Sequence, residues 1–189
     1  MKPFIRLTLS AVTAATLSAY ADTQPQTDAE KAYQWMTGLQ GEWVLSPADQ
    51  QVGKATQHKL VAPIVGSDTT AMSFKLVGKG STVQENLLPG NKKEMVTMYH
   101  CQDVGCDTVK ATHYCAKKNQ PEMTVELASA SNTLEFNCDM RTSLCQSNED
   151  HVHKITHQLS DDGKHLTTTY TSWKDGKYLK DSVYKFQRK

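Results

Sequence analysis

The feature that most constrains the fold is a series of short segments with β-strand character, which begins at Trp43. β-Branched and aromatic residues recur there in runs separated by turn signals such as Gly78-Lys79-Gly80 and Asp161-Asp162-Gly163. The predicted strands are residues 43–45, 53–61, 69–77, 81–88, 94–101, 108–116, 123–128, 133–138, 151–159, 166–173 and 180–186. About ten short strands at regular spacing predict an all-β antiparallel meander, closed as a barrel or folded as a sandwich.

A short helix is predicted before the strands. Thr27 and Glu30 have the spacing of a capping box. Apolar residues then follow at helical spacing as far as Met36, and Gly38 is a natural helix stop. Residues 28–37 are therefore predicted to be helical. Because no linker or repeat marks a second domain, residues 22–189 are predicted to form a single domain.

The composition excludes several classes of protein. Hydrophobic residues make up 38% and charged residues 22% of the 189 residues, which argues against a disordered or membrane-spanning chain. The net charge of +1 gives no bulk attraction to nucleic acid or to an anionic membrane. We therefore expect no nucleic-acid partner and no stable membrane insertion, while the oligomeric state stays open.

The N-terminus has the three parts of a secretory signal peptide. Residues 1–6 carry two positive charges and no acid, and residues 7–20 are mostly apolar or small. Ala19-Tyr20-Ala21 then forms a cleavage site. The apolar run is too short to span a membrane. We predict a cleavable signal peptide over residues 1–21 and a periplasmic mature protein.

The five cysteines indicate two disulfides and one free thiol. An exported chain in an oxidising compartment is expected to pair most of its cysteines, and an odd count leaves one over. Cys101 and Cys106 bracket one turn sequence, and Cys138 and Cys145 bracket another. Opposed residues of an antiparallel hairpin lie close enough for a disulfide. The predicted pairs are therefore Cys101–Cys106 and Cys138–Cys145, with Cys115 unpaired.

Side-chain alternation predicts which residues face inward. With Cys101 placed opposite Cys106, Glu94 faces His113, and the residues between them form an apolar face. The apolar residues of this face are Val96, Met98, Val109 and Ala111. The polar residues predicted on the same inner face are Glu85, Glu94, His100, His113 and Cys115. A similar alternation places His151, His153 and His157 on one face of their strand.

Two interpretations of this polar cluster remain open. Buried carboxylates and imidazoles are costly unless they are paired or solvated, so the cluster predicts either a cavity with contents or a satisfied hydrogen-bond network. A slip of the register by one residue would turn the whole set outward.

Several segments resemble an uncharacterised family of exported bacterial lipocalin-like proteins, which are calycin-type and distantly similar to nitrobindin. The resembling segments are STVQENLLPG at 81–90, EMVTMYH at 94–100, HYC at 113–115, NQP at 119–121 with Met123, HVH at 151–153 and WKDG at 173–176. Gly41-Glu42-Trp43 is similar to the G-x-W opening of calycin barrels. The resemblance implies an antiparallel up-and-down lipocalin-like β-barrel with an internal cavity, and it implies no established activity. Cys115 lies within the resembling segments, which supports it as the unpaired cysteine.

Three classes of function follow. The first is small-ligand binding, in which Glu85, Glu94, His100, His113 and Cys115 orient the polar end of an unidentified ligand. The second is binding of a metal ion, or of haem, by His113, Cys115, His151 and His153.

The third class is catalysis. Cys115 with His113 and Glu94 resembles a nucleophile with its base and orienting group. Residues two apart on a strand lie side by side, however, and the sequence provides no evident oxyanion donor. We therefore favour a binding protein over an enzyme and predict no catalytic residues.

Overall fold

The computed structural model describes residues 26–126 and 132–189, which form a closed barrel of ten antiparallel strands. Each strand pairs with its neighbours in sequence, and β1 pairs with β10 to close the barrel. The strands are β1 Gly41–Leu45, β2 Thr70–Val77, β3 Thr82–Leu87, β4 Met95–Cys101, β5 Val109–Tyr114, β6 Glu122–Glu126, β7 Thr133–Cys138, β8 His151–Leu159, β9 His165–Lys174 and β10 Lys177–Arg188. The predicted all-β up-and-down barrel is confirmed. The predicted signal peptide, residues 1–21, lies outside the described residues.

One helix, α1 (Asp28–Thr37), precedes the strands and has the predicted bounds. The Thr27 hydroxyl accepts from the backbone N–H of Glu30, and the Glu30 carboxylate accepts from the backbone N–H of Thr27. This capping box satisfies two donors at the helix start. Ala29, Ala32 and Met36 are buried against the barrel. In the described part of the chain, no helix has the length and apolar character needed to span a membrane.

The junction between helix and barrel depends on Gly41, Trp43 and Arg188. Gly41 has a φ of 126°, in the region that favours glycine, and a Cβ added there would lie 3.6 Å from a guanidinium nitrogen of Arg188. The buried Trp43 indole donates to the Leu39 carbonyl, and the guanidinium carbon of Arg188 lies 4.3 Å from the centre of its ring. These contacts join the end of α1 to the first and last strands.

The segment between β1 and β2 contradicts one predicted strand. Residues 53–61 form no strand, and three short 3₁₀ turns lie between the two strands, at Ala48–Gln50, Ala55–Gln57 and Ala62–Ile64. Gly53 adopts a φ of 71°, which an extended strand does not allow, and Ala55–Gln57 form a 3₁₀ turn within the segment. Removing this segment from the predicted set leaves the ten strands of the barrel.

The side-chain alternation of β4 is shifted by one residue from the predicted one, so that the opposite set of residues faces the barrel interior. Cys101 pairs with Val109 in the ladder, and Thr97 pairs with His113. Cys106 lies instead in the β4–β5 loop, with a φ of 50°. Because side chains alternate, Thr97 and Tyr99 face the interior, and the predicted inward residues of β4 face outward. The residues predicted inward on β3 and β5 do face the interior.

Both predicted disulfides are present. Cys101 is bonded to Cys106 and Cys138 to Cys145, with Cα–Cα distances of 4.8 and 5.7 Å, and Cys115 is free. Each bond closes a short loop rather than joining opposed residues of a ladder. Two disulfides fit an oxidising compartment and therefore an exported protein.

The two ends of the barrel differ. The Tyr33 hydroxyl of α1 donates to the Gly80 carbonyl and the Thr27 hydroxyl to the Cys106 carbonyl, so α1 covers the end that carries the β2–β3 and β4–β5 loops. The opposite end carries the segments that follow β1, β3, β5, β7 and β9. We refer to these as the helix end and the loop end.

Candidate functional site

The barrel interior contains a buried polar layer centred on Glu85. Glu85 of β3 pairs with Thr97 of β4, and Thr97 pairs with His113 of β5, so three polar residues lie side by side on the inner wall. Tyr170 of β9 and His157 of β8 reach Glu85 from the opposite wall. All five side chains are at most 1% exposed.

The Glu85 carboxylate is fully hydrogen-bonded. One oxygen accepts from the Tyr99 hydroxyl at 2.7 Å, with His157 Nε2 3.3 Å away. The other oxygen accepts from the hydroxyls of Tyr170 and Thr97. His157 also approaches the Tyr99 hydroxyl at 3.0 Å and, through Nδ1, the Thr168 hydroxyl at 3.0 Å. A buried carboxylate with this many donors is a stable arrangement.

The electrostatics favour the ionised form of Glu85. Burial alone would raise its pKa, but the hydrogen bond and charge of His157, with the hydrogen bonds from Tyr170 and Tyr99, hold the pKa below the usual value. Burial raises the pKa of Tyr99 and Tyr170 far above the usual value, and the nearby Glu85 charge raises it further. The tyrosines therefore stay protonated and act as donors.

His113 ends this layer with an unused acceptor. The Thr97 hydroxyl donates to Glu85, so it accepts from His113 Nδ1, 2.9 Å away. Nε2 then carries the free lone pair, and it has no hydrogen-bond partner among the described residues. Burial lowers the pKa of His113 to about 4, against a smaller opposing effect of the Glu85 charge. The ring is therefore neutral at physiological pH.

A cavity of about 190 Å³ opens at the loop end, next to this layer. Its apolar surface includes Met95, Val152 and the rings of Tyr170 and Tyr184. The other lining residues are Lys93, Cys115, Ala116, Lys117, Ser172, Lys180 and Ser182. Tyr170 belongs to both structures, because its ring lines the cavity while its hydroxyl donates to Glu85.

Three lysines line this cavity. Lys117 pairs with Asp150 and reaches the Ser172 hydroxyl at 3.3 Å. Lys93 and Lys180 make no salt bridge with any residue that the structure describes. The cavity entrance therefore has an excess of positive charge over an apolar floor.

Cys115 lies in the cavity wall and is half-buried. Its sulfur is 3.8 Å from the Met95 sulfur, and burial raises the pKa of the thiol. A thiol with a raised pKa is a poor nucleophile at neutral pH, which agrees with a wall residue more than with a catalytic one.

The structure brings only part of the predicted ligand-binding set together. Glu85 and His113 lie in the buried layer, and Cys115 lines the cavity. Glu94 is exposed, where it accepts from Asn86 and from the backbone N–H of Gly90. His100 faces outward on β4 and hydrogen-bonds the Cys101 carbonyl. The prediction that Glu94 and His100 face the interior was wrong, because it depended on placing Cys106 in the ladder.

Sequence reasoning missed most donors of the buried layer. The predicted alternation of β4 turns Thr97 and Tyr99 outward, and no polar role is predicted for Tyr170. His157 was placed on one face with His151 and His153, but a bulge separates them. The alternation of β9 through Leu166, Thr168 and Tyr170 carried a signal for two of the missed residues.

His151 and His153 form a second cluster at the loop end. The bulge between Val152 and Lys154 brings His151 Nε2 within 3.0 Å of His153 Nδ1. The Cys138 sulfur lies within 4.8 Å of both imidazoles, so this Cys/His cluster could bind a metal ion. The predicted metal set combined these histidines with His113 and Cys115, which lie in the buried layer and the cavity wall instead.

Larger clefts of about 390 and 290 Å³ lie along the segment that connects β1 to β2. The chain residues lining them include exposed loop residues such as Asp49 and Gln57, and neither cleft contains Glu85, His113 or Cys115. We therefore take the smaller cavity at the loop end as the candidate site. No family profile, curated protein or solved structure is significantly similar to this chain, so the argument for function depends on the geometry alone.

Proposed function

We propose that the protein is an exported binding protein that holds one small organic anion in the cavity at the loop end. The observation that carries the proposal is the combination of an apolar cavity floor with two lysines, Lys93 and Lys180, that have no acidic partner among the described residues. Closed barrels of this kind hold small ligands at their open ends.

The cavity volume supports a small ligand. At about 190 Å³ it equals roughly six water molecules of liquid volume, on the order of 30 Å³ each. Pockets for drug-sized ligands begin at about 300 Å³. A short-chain or single-ring carboxylate fits this size, whereas a porphyrin needs a larger pocket than this one.

The charges support an anion with an apolar body. Met95, Val152 and the tyrosine rings would contact the apolar body, while the lysine ammonium groups would contact the carboxylate. The ionised Glu85 beneath Tyr170 disfavours a ligand that carries its negative charge towards the barrel interior. The carboxylate therefore points towards the entrance.

Export is part of the same proposal. The two disulfides support an oxidising compartment, and the N-terminal sequence has the pattern of a signal peptide. The resemblance of the sequence to exported bacterial lipocalin-like proteins is consistent with this proposed location.

The test is a thermal-shift screen of short-chain and single-ring carboxylates, with the matching primary alcohols as uncharged controls. A carboxylate present at 100 times its Kd stabilises the fold by about 2.7 kcal/mol, which corresponds to a Tm increase of roughly 5–10 °C. The variant Lys93→Gln/Lys180→Gln should lose the increase. Lys75→Gln/Lys164→Gln, which changes two exposed lysines outside the cavity, should keep it.

A carboxylate that stabilises both double variants equally would contradict the proposed site. A screen in which alcohols stabilise as strongly as carboxylates would contradict the proposed charge of the ligand. Native mass spectrometry of the exported protein gives an independent measurement, because a co-purified small anion should be lost in Lys93→Gln/Lys180→Gln.

A further inference from the structure

The Cys138–Cys145 disulfide lies next to the two histidines that begin β8. The Cys138 sulfur and one nitrogen each of His151 and His153 lie within 4.8 Å of one another. Cys145 is bonded to Cys138, so its sulfur lies beside this cluster, although it is not one of the three donors that are all within 4.8 Å of one another. Four side chains with the donor atoms of a Cys₂His₂ zinc site therefore meet where β7 ends and β8 begins.

We propose that this cluster has two alternative states, the Cys138–Cys145 disulfide in the oxidised protein and a Zn²⁺ site of Cys138, Cys145, His151 and His153 in the reduced protein. The disulfide sulfurs are poor ligands, since metal binding needs thiolates. Breaking the disulfide supplies two thiolates beside two imidazoles that are already close together.

The distances between the donors fit tetrahedral zinc. Zinc–nitrogen bonds of about 2.0–2.1 Å at a tetrahedral angle place two nitrogens roughly 3.3 Å apart. His151 Nε2 and His153 Nδ1 are 3.0 Å apart, so the imidazoles need only a small adjustment. The two sulfurs must separate by roughly 2 Å, from disulfide distance to the spacing of two zinc-bound thiolates.

The hydrogen bonds already orient His151 for a metal. A carbonyl oxygen only accepts, so His151 Nδ1–H donates to the Glu149 carbonyl at 2.8 Å. Nε2 is then the free acceptor, and His153 Nδ1 donates its proton to it. A carbonyl on the far nitrogen of a ligating histidine is the usual partner that fixes the ring in metal sites.

The bulge in β8 explains why these two residues converge. On a regular strand, residues two apart point the same way but stand side by side rather than towards one point. Between Val152 and Lys154 the register of β8 shifts, so the rings of His151 and His153 turn towards each other. The His153 ring also stacks on Trp173, with ring centres 3.9 Å apart, which holds it in place.

The proposed exchange balances in atoms and charge. A dithiol reductant gives two hydrogens to the Cys138–Cys145 disulfide and becomes a disulfide itself. Zn²⁺ then displaces one proton from each of the two thiols, while His153 carries its proton on Nε2 instead of Nδ1, so that both histidines bind as neutral imidazoles. Two thiolates neutralise the ion, so the site carries no net charge in a place where three of its four ligands are buried.

The experiment compares metal binding by the full chain in two redox states. One sample keeps its disulfides, and the other is reduced with a phosphine and desalted without oxygen. Zn²⁺ affinity is measured by competition with a chromophoric chelator, and Co²⁺ serves as the spectroscopic probe. The reduced protein should bind one Zn²⁺ on the order of 100-fold more tightly than the oxidised protein. Its Co²⁺ complex should show tetrahedral bands and thiolate-to-cobalt charge transfer.

Variants assign the ligands. Cys138→Ser/Cys145→Ser should bind Zn²⁺ as weakly after reduction as before it, and His153→Gln should lose at least about tenfold in affinity in the reduced state. Cys101→Ser/Cys106→Ser is the matched control, because it removes the other disulfide and should leave the gain on reduction unchanged. Circular dichroism checks that each variant is folded.

A second measurement needs no variant. Zn²⁺ should slow the alkylation of Cys138 and Cys145 in the reduced protein at least tenfold, with no such effect on Cys101 and Cys106, as measured by peptide mass spectrometry. Equal Zn²⁺ affinity in the two redox states would overturn the proposal. So would full affinity in folded Cys138→Ser/Cys145→Ser, or alkylation of Cys138 and Cys145 that Zn²⁺ leaves unchanged.

Discussion

Replacing Glu85 with glutamine tests the buried layer most directly. The amide has nearly the shape of the carboxylate, so the substitution changes charge and hydrogen bonding without opening a cavity. In the native protein both carboxylate oxygens accept, from Tyr99 on one side and from Tyr170 and Thr97 on the other. Whichever way the amide lies, its NH₂ group meets a hydroxyl that previously donated to Glu85.

The cost follows from burial. Glu85, Tyr99 and His157 are excluded from solvent, so water cannot replace the lost acceptor. Removing one partner of a buried charged pair destabilises proteins by about 3–5 kcal/mol. For a domain of this size, that corresponds to a decrease in Tm of roughly 6–20 °C.

Urea unfolding followed by tryptophan fluorescence gives the free energy directly, and Glu94→Gln is the matched control. Glu94 is exposed, so the same chemical change there should leave the free energy of unfolding within about 0.5 kcal/mol of the wild type. The difference should also depend on pH. Because the folded-state pKa of Glu85 is lowered, its stabilisation is full above the ordinary value of 4.5 and is lost as the pH falls through the folded-state value. A Glu85→Gln protein within 1 kcal/mol of the wild type at pH 7, on the order of the error of the method, would refute this account of the layer.

Three further results are expected. The pKa of His113 is about 4 in the folded protein and 6.5 in the unfolded chain, so the unfolded chain binds more protons between these two pH values. The free energy of unfolding should therefore fall by roughly 2–4 kcal/mol as the pH drops from 6.5 to 4. In urea titrations, His113→Gln should lack this pH dependence, and the exposed-site control His165→Gln should keep it. Replacing Cys101 and Cys106 with serine should cost about 2 kcal/mol, and any bond from Cys115 in non-reducing peptide maps would contradict the pairing. Cys115 should react with iodoacetamide more slowly than a free thiol at pH 8, because burial raises its pKa, and a ligand in the cavity should slow it further.

The order of elements was predictable because each has a local signal. The capping box determines the start of α1, and the turn sequences separate the strands of a meander whose neighbours in sequence are neighbours in space. The disulfide pairs follow from the same locality, since each closes a short loop. The predicted strand at residues 53–61 was wrong because a positive φ at Gly53 and a 3₁₀ turn at Ala55–Gln57 replace the extended backbone that its composition favours.

The inner face of β4 was not predictable from the hairpin alone. A disulfide constrains two Cα atoms to within about 7 Å, and this condition holds for a cysteine in the loop as well as for one in the ladder. Placing Cys106 in the ladder shifts the predicted alternation of β4 by one residue. Val96 and Met98 are then predicted to face the interior, whereas Thr97 and Tyr99 occupy the inward positions in the structure. Both alternatives present residues that are compatible with a core, so hydrophobicity did not distinguish them.

The histidines of β8 were separated by a feature with no sequence signal. His151, His153 and His157 share the alternation of a regular strand, but the bulge lets both Val152 and Ile155 pair with inward residues of β9. His157 is thereby placed beside Glu85, while His151 and His153 turn towards Cys138. One extra residue in a strand therefore divides one predicted cluster into two sites.

The position of the buried layer determines how deep a ligand can enter. Tyr170 closes the cavity floor, and its hydroxyl is held by Glu85, so a ligand that passed its ring would break a hydrogen bond to a buried charge. On the other side of the barrel α1 covers the end with its buried face. The cavity and the His151–His153 cluster both lie at the opposite, loop end. The size of an acceptable ligand is therefore set by the rigid polar layer, and the charge preference by the lysines of the entrance.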